Sequence, residues 1–239
     1  MFERTPEGGA GAPNDRPIGG GVIGVAAFDF DGTLTHKDTL LPFLTGAHGW
    51  RRVAMASLAG LVAPQPRTVG RSVGHDGDAT PTAPRRDRLK ISTIGRLFRG
   101  MPAGRLDELG RDYATRLSGR LRAEMVERVR WHQRRGHAVV IVSASLAAYL
   151  RPVAARLGID DVLAVELVAD GDGILTGAVE GGANTRGPHK PKRVHAWTAA
   201  RFGPDAPLER WAYGDAAGDR ELLAWADHPT WVGQGGSLG

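Results

Sequence analysis

The chain has 239 residues, no cysteine, 41% hydrophobic residues and a formal net charge of +5. This composition is typical of a globular protein and excludes a wholly disordered chain, a disulfide-stapled fold and a cysteine-ligated zinc site. No stretch of about 18 uncharged apolar residues occurs, so no transmembrane segment is predicted.

The first half of the chain predicts one strand followed by a long helical block. Residues 1–21 are rich in Gly, Pro and Asp and predict a disordered N-terminal arm. The arm lacks the apolar segment of a secretory signal, so we expect a cytoplasmic protein. The apolar run Val22–Phe30 predicts a buried strand. Helical apolar spacing follows over 36–130, interrupted by a Pro- and Gly-rich stretch, 63–88, that we interpret as a flexible linker.

The second half alternates strands and helices. The sequence predicts, in order, a strand 137–143, a helix 146–157, a hairpin of 161–169 with 174–179, a helix 190–202, a strand 210–213, a helix 219–226 and a strand 230–232. This alternation is typical of an α/β protein with a parallel sheet and helices on both faces. The block 36–130 is too long for a crossover connection, so we interpret it as an inserted helical module.

Acidic residues follow two of the predicted strands. Asp29 and Asp31 come directly after the first strand, and Gly32 permits a tight turn there. Two carboxylates that converge repel each other unless a cation or proton lies between them. A polar strand end before a turn is the alternative interpretation. Asp215 and Asp219 follow the strand 210–213, and oxygen ligands of this kind suit Mg²⁺. Asp219 alone is equally compatible with a helix N-cap.

A hydroxyl and a cation complete the set of polar strand ends. Ser143 ends the strand 137–143, where free N–H groups at a helix start favour an anion. Lys190 begins a helix, against the helix dipole unless an anion lies nearby. Taken singly, an ordinary N-cap and a solvated lysine explain these two residues as well. Together with the four acids, they are the parts that phosphoryl transfer requires.

The order DxDGT, VSAS, Gly-x-x-Lys and GDxxGD resembles the haloacid dehalogenase (HAD) superfamily of phosphohydrolases. Its finer pattern looks like the phosphoserine phosphatase-like subfamily IB. The resemblance covers most of residues 24–232 and implies a Rossmann-like, HAD-type sheet with an inserted α-helical cap domain. The core would be 22–35 and 131–239, and the cap would be 36–130.

The resemblance also implies a role for each motif residue. Asp29 would be the nucleophile, and Asp31 the general acid and base. Mg²⁺ would be held by Asp29, by the backbone carbonyl of Asp31 and by Asp215, with Asp219 acting behind these ligands. The groups that bind the phosphoryl oxygens would be Ser143, Lys190, Gly32 and Ala144.

In the cap, the resemblance points less sharply to substrate contacts. Asp38 stands where phosphoserine phosphatases carry an acid that faces the substrate amine, although a helix cap explains it as well. Arg96 and Arg99 are the nearest candidates for an arginine that grips a substrate carboxylate. Trp50, beside Arg51 and Arg52, is compatible with an amphipathic surface helix or with packing inside the cap.

The sequence thus predicts a Mg²⁺-dependent phosphomonoester hydrolase for a small phosphorylated metabolite. A phosphotransferase with the same intermediate and a catalytically silent nucleic-acid or membrane-surface binding protein are the alternatives. Residues 36–135 contain 20 Lys and Arg against 9 Asp and Glu, a net charge of +11, whereas the rest of the chain carries −6. This division favours a cap that attracts anionic substrates, and no nucleic-acid partner is expected. The oligomeric state is left open.

Overall fold

Five short strands form one parallel sheet in the computed structural model, which describes residues 21–62, 85–180 and 187–233. The seven strands are β1 (Ile23–Phe28), β2 (Ala138–Leu146), β3 (Asp161–Val165), β4 (Leu167–Ala169), β5 (Leu175–Val179), β6 (Leu208–Gly214) and β7 (His228–Trp231). The main sheet has the order β3-β2-β1-β6-β7, and all of its pairs are parallel. The strands β4 and β5 form a separate antiparallel hairpin.

Helices cover both faces of this sheet. They are α1 (Leu40–His48), α2 (Trp50–Val62), α3 (Arg85–Phe98), α4 (Ala103–Leu117), α5 (Ala123–Arg134), α6 (Ala147–Arg156), α7 (His189–Phe202) and α8 (Arg220–Trp225). Successive strand residues point to opposite faces. Accordingly, Ala26 joins a core with α4, α5 and α6, whereas Ala27 packs with Val194 of α7 and Leu222 of α8. The predicted fold class, a parallel sheet flanked by helices with a helical insertion, is confirmed.

The helical insertion enters and leaves the core at one place. Thr35, just before α1, and Leu121, just before α5, form an antiparallel bridge. Helix α5 itself packs on β2. Helix α5 thus packs on the sheet, and the predicted end of the insertion at residue 130 stays a prediction.

Two stretches differ from the predicted elements. Residues 161–165 pair in parallel with β2 in the main sheet, so only 167–169 forms the predicted hairpin with 175–179. Helix α3 begins at Arg85, so residues 85–88 of the predicted linker are helical. The rest of that linker, 63–84, and the predicted arm up to residue 20 lie outside the described residues.

The hairpin β4–β5 packs against the insertion. Its Gly177 lies so close to α3 that a Cβ on Gly95 would be 2.2 Å from the Gly177 carbonyl oxygen. The carbonyl of Leu175 also accepts a hydrogen bond from Gly100, just after α3. The hairpin thus joins the insertion to the α/β core. Within the described residues, none of the helices is long and apolar enough to cross a membrane.

Candidate functional site

The loop after β1 and the end of β6 lie in direct contact. Asp29 follows β1, and its N–H donates to the carbonyl of Tyr213 in β6. Gly32 has a φ of +85°, and a Cβ there would lie 2.1 Å from Oδ2 of Asp215. Thr33 donates its hydroxyl to Oδ1 of Asp215 at 3.1 Å. Only glycine therefore allows this loop to approach the Asp215 carboxylate so closely.

Lys190, at the start of α7, joins two of the predicted acids. Its Nζ donates to Oδ1 of Asp29 and to Oδ1 of Asp219, each at 2.5 Å. All three side chains are buried, with exposed fractions of 3% to 8%. Burial raises the pKa of Asp29 to about 7, against the opposing effect of Lys190. Burial lowers the pKa of Lys190, but the two carboxylates outweigh that effect and raise it. The lysine is therefore a charged ammonium between two acids.

Three carboxylates converge at this edge of the sheet. Asp29, Asp215 and Asp219 each offer one oxygen within 4.8 Å of the others. Burial raises the pKa of Asp215, partly offset by the hydrogen bond from Thr33. Lys190 balances only part of the negative charge of these three carboxylates, and oxygen donors of this kind fit Mg²⁺. Gly32 and Thr33 hold the Asp215 carboxylate against the loop after β1. The carboxylate oxygens of this cluster are therefore compatible with the predicted Mg²⁺.

Asp219 is already engaged through both of its oxygens. Oδ1 accepts from Lys190, and Oδ2 accepts the backbone N–H groups of Asp215 at 3.3 Å and Ala216 at 3.1 Å. It precedes α8 but makes no side-chain cap bond to that helix. The bond from the Ala216 N–H is also a capping-box contact of the 3-10 turn that precedes α8, so the predicted supporting role of Asp219 stays a prediction.

Asp31 is held by hydrogen bonds from the insertion and from β2. Its Oδ1 accepts both the N–H of Thr39 at 2.7 Å and the Thr39 hydroxyl at 2.5 Å. Its Oδ2 accepts the hydroxyl of Ser145. Burial raises the pKa of Asp31, while these bonds oppose the increase. Its side chain is not part of the acidic cluster found among the described residues. The predicted use of its backbone carbonyl stays a prediction.

The predicted phosphate-binding residues Ser143 and Ala144 lie at the end of β2. Register places Phe28 of β1 opposite Ile141, so Ser143 lies at the same sheet edge as Asp29. Ser143 is buried and accepts the N–H of Ser145 at 3.1 Å, whereas Ala144 is half-buried. Their positions are compatible with the predicted contact to phosphoryl oxygens, which stays a prediction together with those of Gly32 and Lys190.

The candidates for substrate contacts in the cap do not join the cluster. Asp38 is exposed and accepts the N–H of Leu41 at 3.0 Å, as expected for the helix-cap alternative. Arg96 and Arg99 are exposed and line a groove between α2 and α3. Over the described ranges, no hydrogen bond or ion pair connects these arginines to Asp29 or Asp31. Their predicted contact with substrate has no support from the geometry.

Sequence reasoning missed several partners of the predicted acids. Thr39 and Ser145 hold Asp31, and Thr33 holds Asp215. Arg122 donates its Nε to the carbonyls of Gly32 and Thr35 at 3.2 and 3.3 Å, and so holds the loop in place. Ser145 lies in the VSAS motif and Thr33 in the DxDGT motif, so the sequence could have indicated these two residues. Arg122 carries no local signal, because Gly32 and Thr35 lie 90 and 87 residues away in the sequence. Thr39 lies only eight residues after Asp31 but outside the motifs.

Comparisons with known proteins cover most of the chain. The family model described as haloacid dehalogenase-like hydrolase matches residues 26–224. Protein CicA of Caulobacter vibrioides is 32% identical over 204 residues, which cover 85% of this chain and 83% of CicA.

Solved structures show the same fold at lower identity. A protein of unknown function from Bordetella pertussis Tohama I has a TM-score of 0.59 and 20% identity, over 85% of this chain and 87% of that one. A phosphoserine phosphatase that carries an analogue of its phospho-aspartyl intermediate has a TM-score of 0.52 and 19% identity, over 86% and 84%. The predicted resemblance to the phosphoserine phosphatases is confirmed at the level of the fold.

Proposed function

Because the chain belongs to the haloacid dehalogenase-like hydrolase family, we propose that it is a Mg²⁺-dependent phosphomonoester hydrolase. It acts on a small phosphorylated metabolite through an aspartyl-phosphate intermediate. The observation that carries this proposal is the convergence of Asp29, Asp215 and Asp219 beside the buried ammonium of Lys190. Such a group of acids and one cation provides a nucleophile, a metal site and a charge for a phosphate dianion.

In the first step, a carboxylate oxygen of Asp29 attacks the phosphorus atom. The new bond is O–P on Asp29, and the bond from phosphorus to the ester oxygen breaks. Asp31 gives its proton to the leaving alkoxide. Burial, which raises the pKa of Asp31, supports this role because it favours the protonated form.

In the second step, water hydrolyses the aspartyl phosphate. Asp31, now ionised, takes a proton from the water while the water oxygen bonds to phosphorus. The bond between Asp29 and phosphorus breaks and inorganic phosphate leaves. The hydrogen bonds from Thr39 and Ser145 support the ionised form of Asp31 in this step and fix its orientation. Lys190 offsets the repulsion between Asp29 and the phosphate oxygens.

Asp29 and Asp215, with the carbonyl of Asp31, would hold Mg²⁺ in this proposal. The bound ion supplies positive charge that allows an anionic carboxylate to approach an anionic ester. Asp219 orients the neighbouring groups through Lys190 and the N–H groups of Asp215 and Ala216. We expect EDTA to abolish turnover of an aryl phosphate and added Mg²⁺ to restore it. Full turnover in EDTA would contradict the metal part of the proposal.

The intermediate is tested with two substitutions of the same type. Asp29→Asn removes the nucleophile, so turnover of an aryl phosphate should fall by at least a thousandfold, about 4 kcal/mol of activation free energy. Asp31→Asn leaves the nucleophile but removes both the acid and the base. An aryl oxide leaves without protonation, so the first step persists and phosphoenzyme should accumulate after an initial burst of the phenol. The control is Asp112→Asn, which changes an exposed acid on α4.

The proposal fails if Asp29→Asn retains turnover, or if Asp31→Asn shows neither a burst nor a phosphorylated Asp29 by mass spectrometry. Thermal unfolding of each variant separates a loss of chemistry from a loss of fold. The substrate class is tested by phosphate release from a set of phosphorylated metabolites. Phosphoserine, glycerol phosphates, lysophosphatidic acid and sugar phosphates belong in that set. Release from none of them would contradict the proposed substrate class.

A further inference from the structure

The outer face of α2 is apolar and exposed to solvent. Six large hydrophobic side chains in the described part of the chain are exposed, and three of them belong to this helix. Trp50, Met55 and Leu58 have exposed fractions of 68%, 71% and 64%. The opposite side of the helix, with Val53 and Gly60, is buried. An apolar patch of this kind on one helix marks an interaction surface.

Arginines flank this apolar face. A groove of about 600 Å³ lies between α2 and α3, and Arg51, Arg52, Arg96 and Arg99 line it together with Met55, Ala56, Ala59 and Leu97. No acidic residue is among these lining residues, and α2 has none in its sequence. The guanidinium of Arg51 lies 5.6 Å from the centre of the Trp50 ring. The surface thus combines exposed apolar side chains with concentrated positive charge.

The positive charge of this surface favours a binding partner that is negatively charged. Residues 63–84, which follow α2 in the chain, contain two arginines and two aspartates, so they offer no net negative charge to four arginines. An anionic lipid surface offers both phosphate groups for the arginines and an apolar layer for Trp50, Met55 and Leu58. Amphipathic helices with arginine beside tryptophan and leucine bind at the boundary of head groups and acyl chains.

We propose that the cap docks on anionic membranes through the outer face of α2, with the arginines of the α2–α3 groove on lipid phosphates. Helix α2 lies in the plane of the interface, and Trp50, Met55 and Leu58 enter the boundary of the acyl layer. Attraction between the arginines and the charged leaflet makes this binding dependent on anionic lipid and on salt. The docking surface is separate from the acidic cluster and does not depend on the proposed catalytic chemistry.

The test is flotation of the full chain with two kinds of vesicle. One contains phosphatidylcholine alone, and in the other about a third of the lipid is phosphatidylglycerol. We expect binding to the anionic vesicles only, and a decrease as salt rises. Arg52→Glu and Leu58→Glu should each weaken binding by about tenfold or more. Arg111→Glu on α4 and Leu41→Glu on α1 make the same changes at other exposed positions and should retain binding.

Several outcomes would overturn the proposal. They are no binding to anionic vesicles, equal binding to both kinds of vesicle, or control variants that lose as much affinity as Arg52→Glu and Leu58→Glu. Light scattering of the free protein checks whether the same face joins two copies of the chain. A dimer that Leu58→Glu dissociates, without vesicle binding by the wild type, would assign the face to a protein contact instead. Unchanged melting temperatures show that the variants fold.

Discussion

Replacement of Lys190 by methionine tests the centre of the site most directly. Methionine has a similar volume but no charge, so Asp29 and Asp219 would remain as buried carboxylates without their shared cation. Both contacts are 2.5 Å long and the three side chains are almost fully buried, so solvent screens them little. Removal of one partner from a buried ion pair costs about 3 to 5 kcal/mol of unfolding free energy. For a chain of this size the corresponding fall in melting temperature is roughly 6 to 20 °C.

The pH dependence of this loss has a definite sign. Lys190 lowers the pKa of Asp29, so its removal raises that pKa above the value of about 7 that burial and Lys190 set together. A carboxyl whose pKa is raised in the folded state stabilises the protein at low pH, and this stabilisation is lost as pH rises through the raised pKa. Lys190→Met should therefore be more destabilised at pH 8 than at pH 5. Chemical unfolding at both values measures this, and an aryl phosphate assay should show no turnover.

The control is Lys192→Met, which makes the same change two residues later on the exposed side of α7. It should keep its activity and lie within about 0.5 kcal/mol of the wild type. The reasoning is refuted if Lys190→Met loses less than about 1 kcal/mol, or if Lys192→Met loses as much. Retained turnover by Lys190→Met would separately refute the role of the ammonium at the phosphate.

Two further substitutions test the loop and the core. Gly32→Ala places a Cβ at 2.1 Å from Asp215 at a positive φ, so half-maximal activity should need at least tenfold more Mg²⁺. Gly104→Ala, where a Cβ meets open space, should not change this concentration. Equal Mg²⁺ requirements in both variants would contradict the role of the close contact between Gly32 and Asp215. Burial lowers the pKa of His132 to about 3, whereas a histidine in the unfolded chain has a pKa of about 6.5. The free energy of unfolding should therefore fall by about 2 kcal/mol between pH 7.5 and pH 5. His132→Gln should remove that loss in chemical unfolding, and exposed His195→Gln should retain it; an unchanged pH profile in His132→Gln would contradict this assignment.

The predicted acids could be found from sequence because each pair of them follows a strand. An apolar run followed by Asp29 or Asp215 predicts the strand and its carboxyl edge at once, and parallel strands bring those edges together. The register of β1 with β6, which places Phe28 opposite Tyr213, then brings the two acids to one edge. Local pattern was sufficient for this part of the site, since the pairing follows from the fold class.

The missing part depends on contacts between distant segments. The turn sequence at 171–173 led to the prediction that residues 161–165 belong to a hairpin. They pair with β2 instead, and no local sequence pattern indicates that pairing. The face that α2 exposes also depended on its neighbours. Its apolar spacing is compatible with packing inside the cap or with a surface helix. Because its opposite side packs on α3, the side with Trp50, Met55 and Leu58 is exposed to solvent.

The position of Asp31 connects the cap to the chemistry. Two of its hydrogen bonds come from Thr39, just before α1, and the carbonyl of Thr39 accepts the Tyr113 hydroxyl of α4 at 2.8 Å. The hydroxyls of Thr39 and Tyr149 are 3.0 Å apart, and Phe43 of α1 packs against both tyrosine rings. A shift of α1 would therefore remove hydrogen bonds that stabilise the ionised Asp31, while burial favours its protonated form. Packing of the cap thus contributes, together with burial and Ser145 of β2, to the orientation and the proton affinity of the proposed general acid.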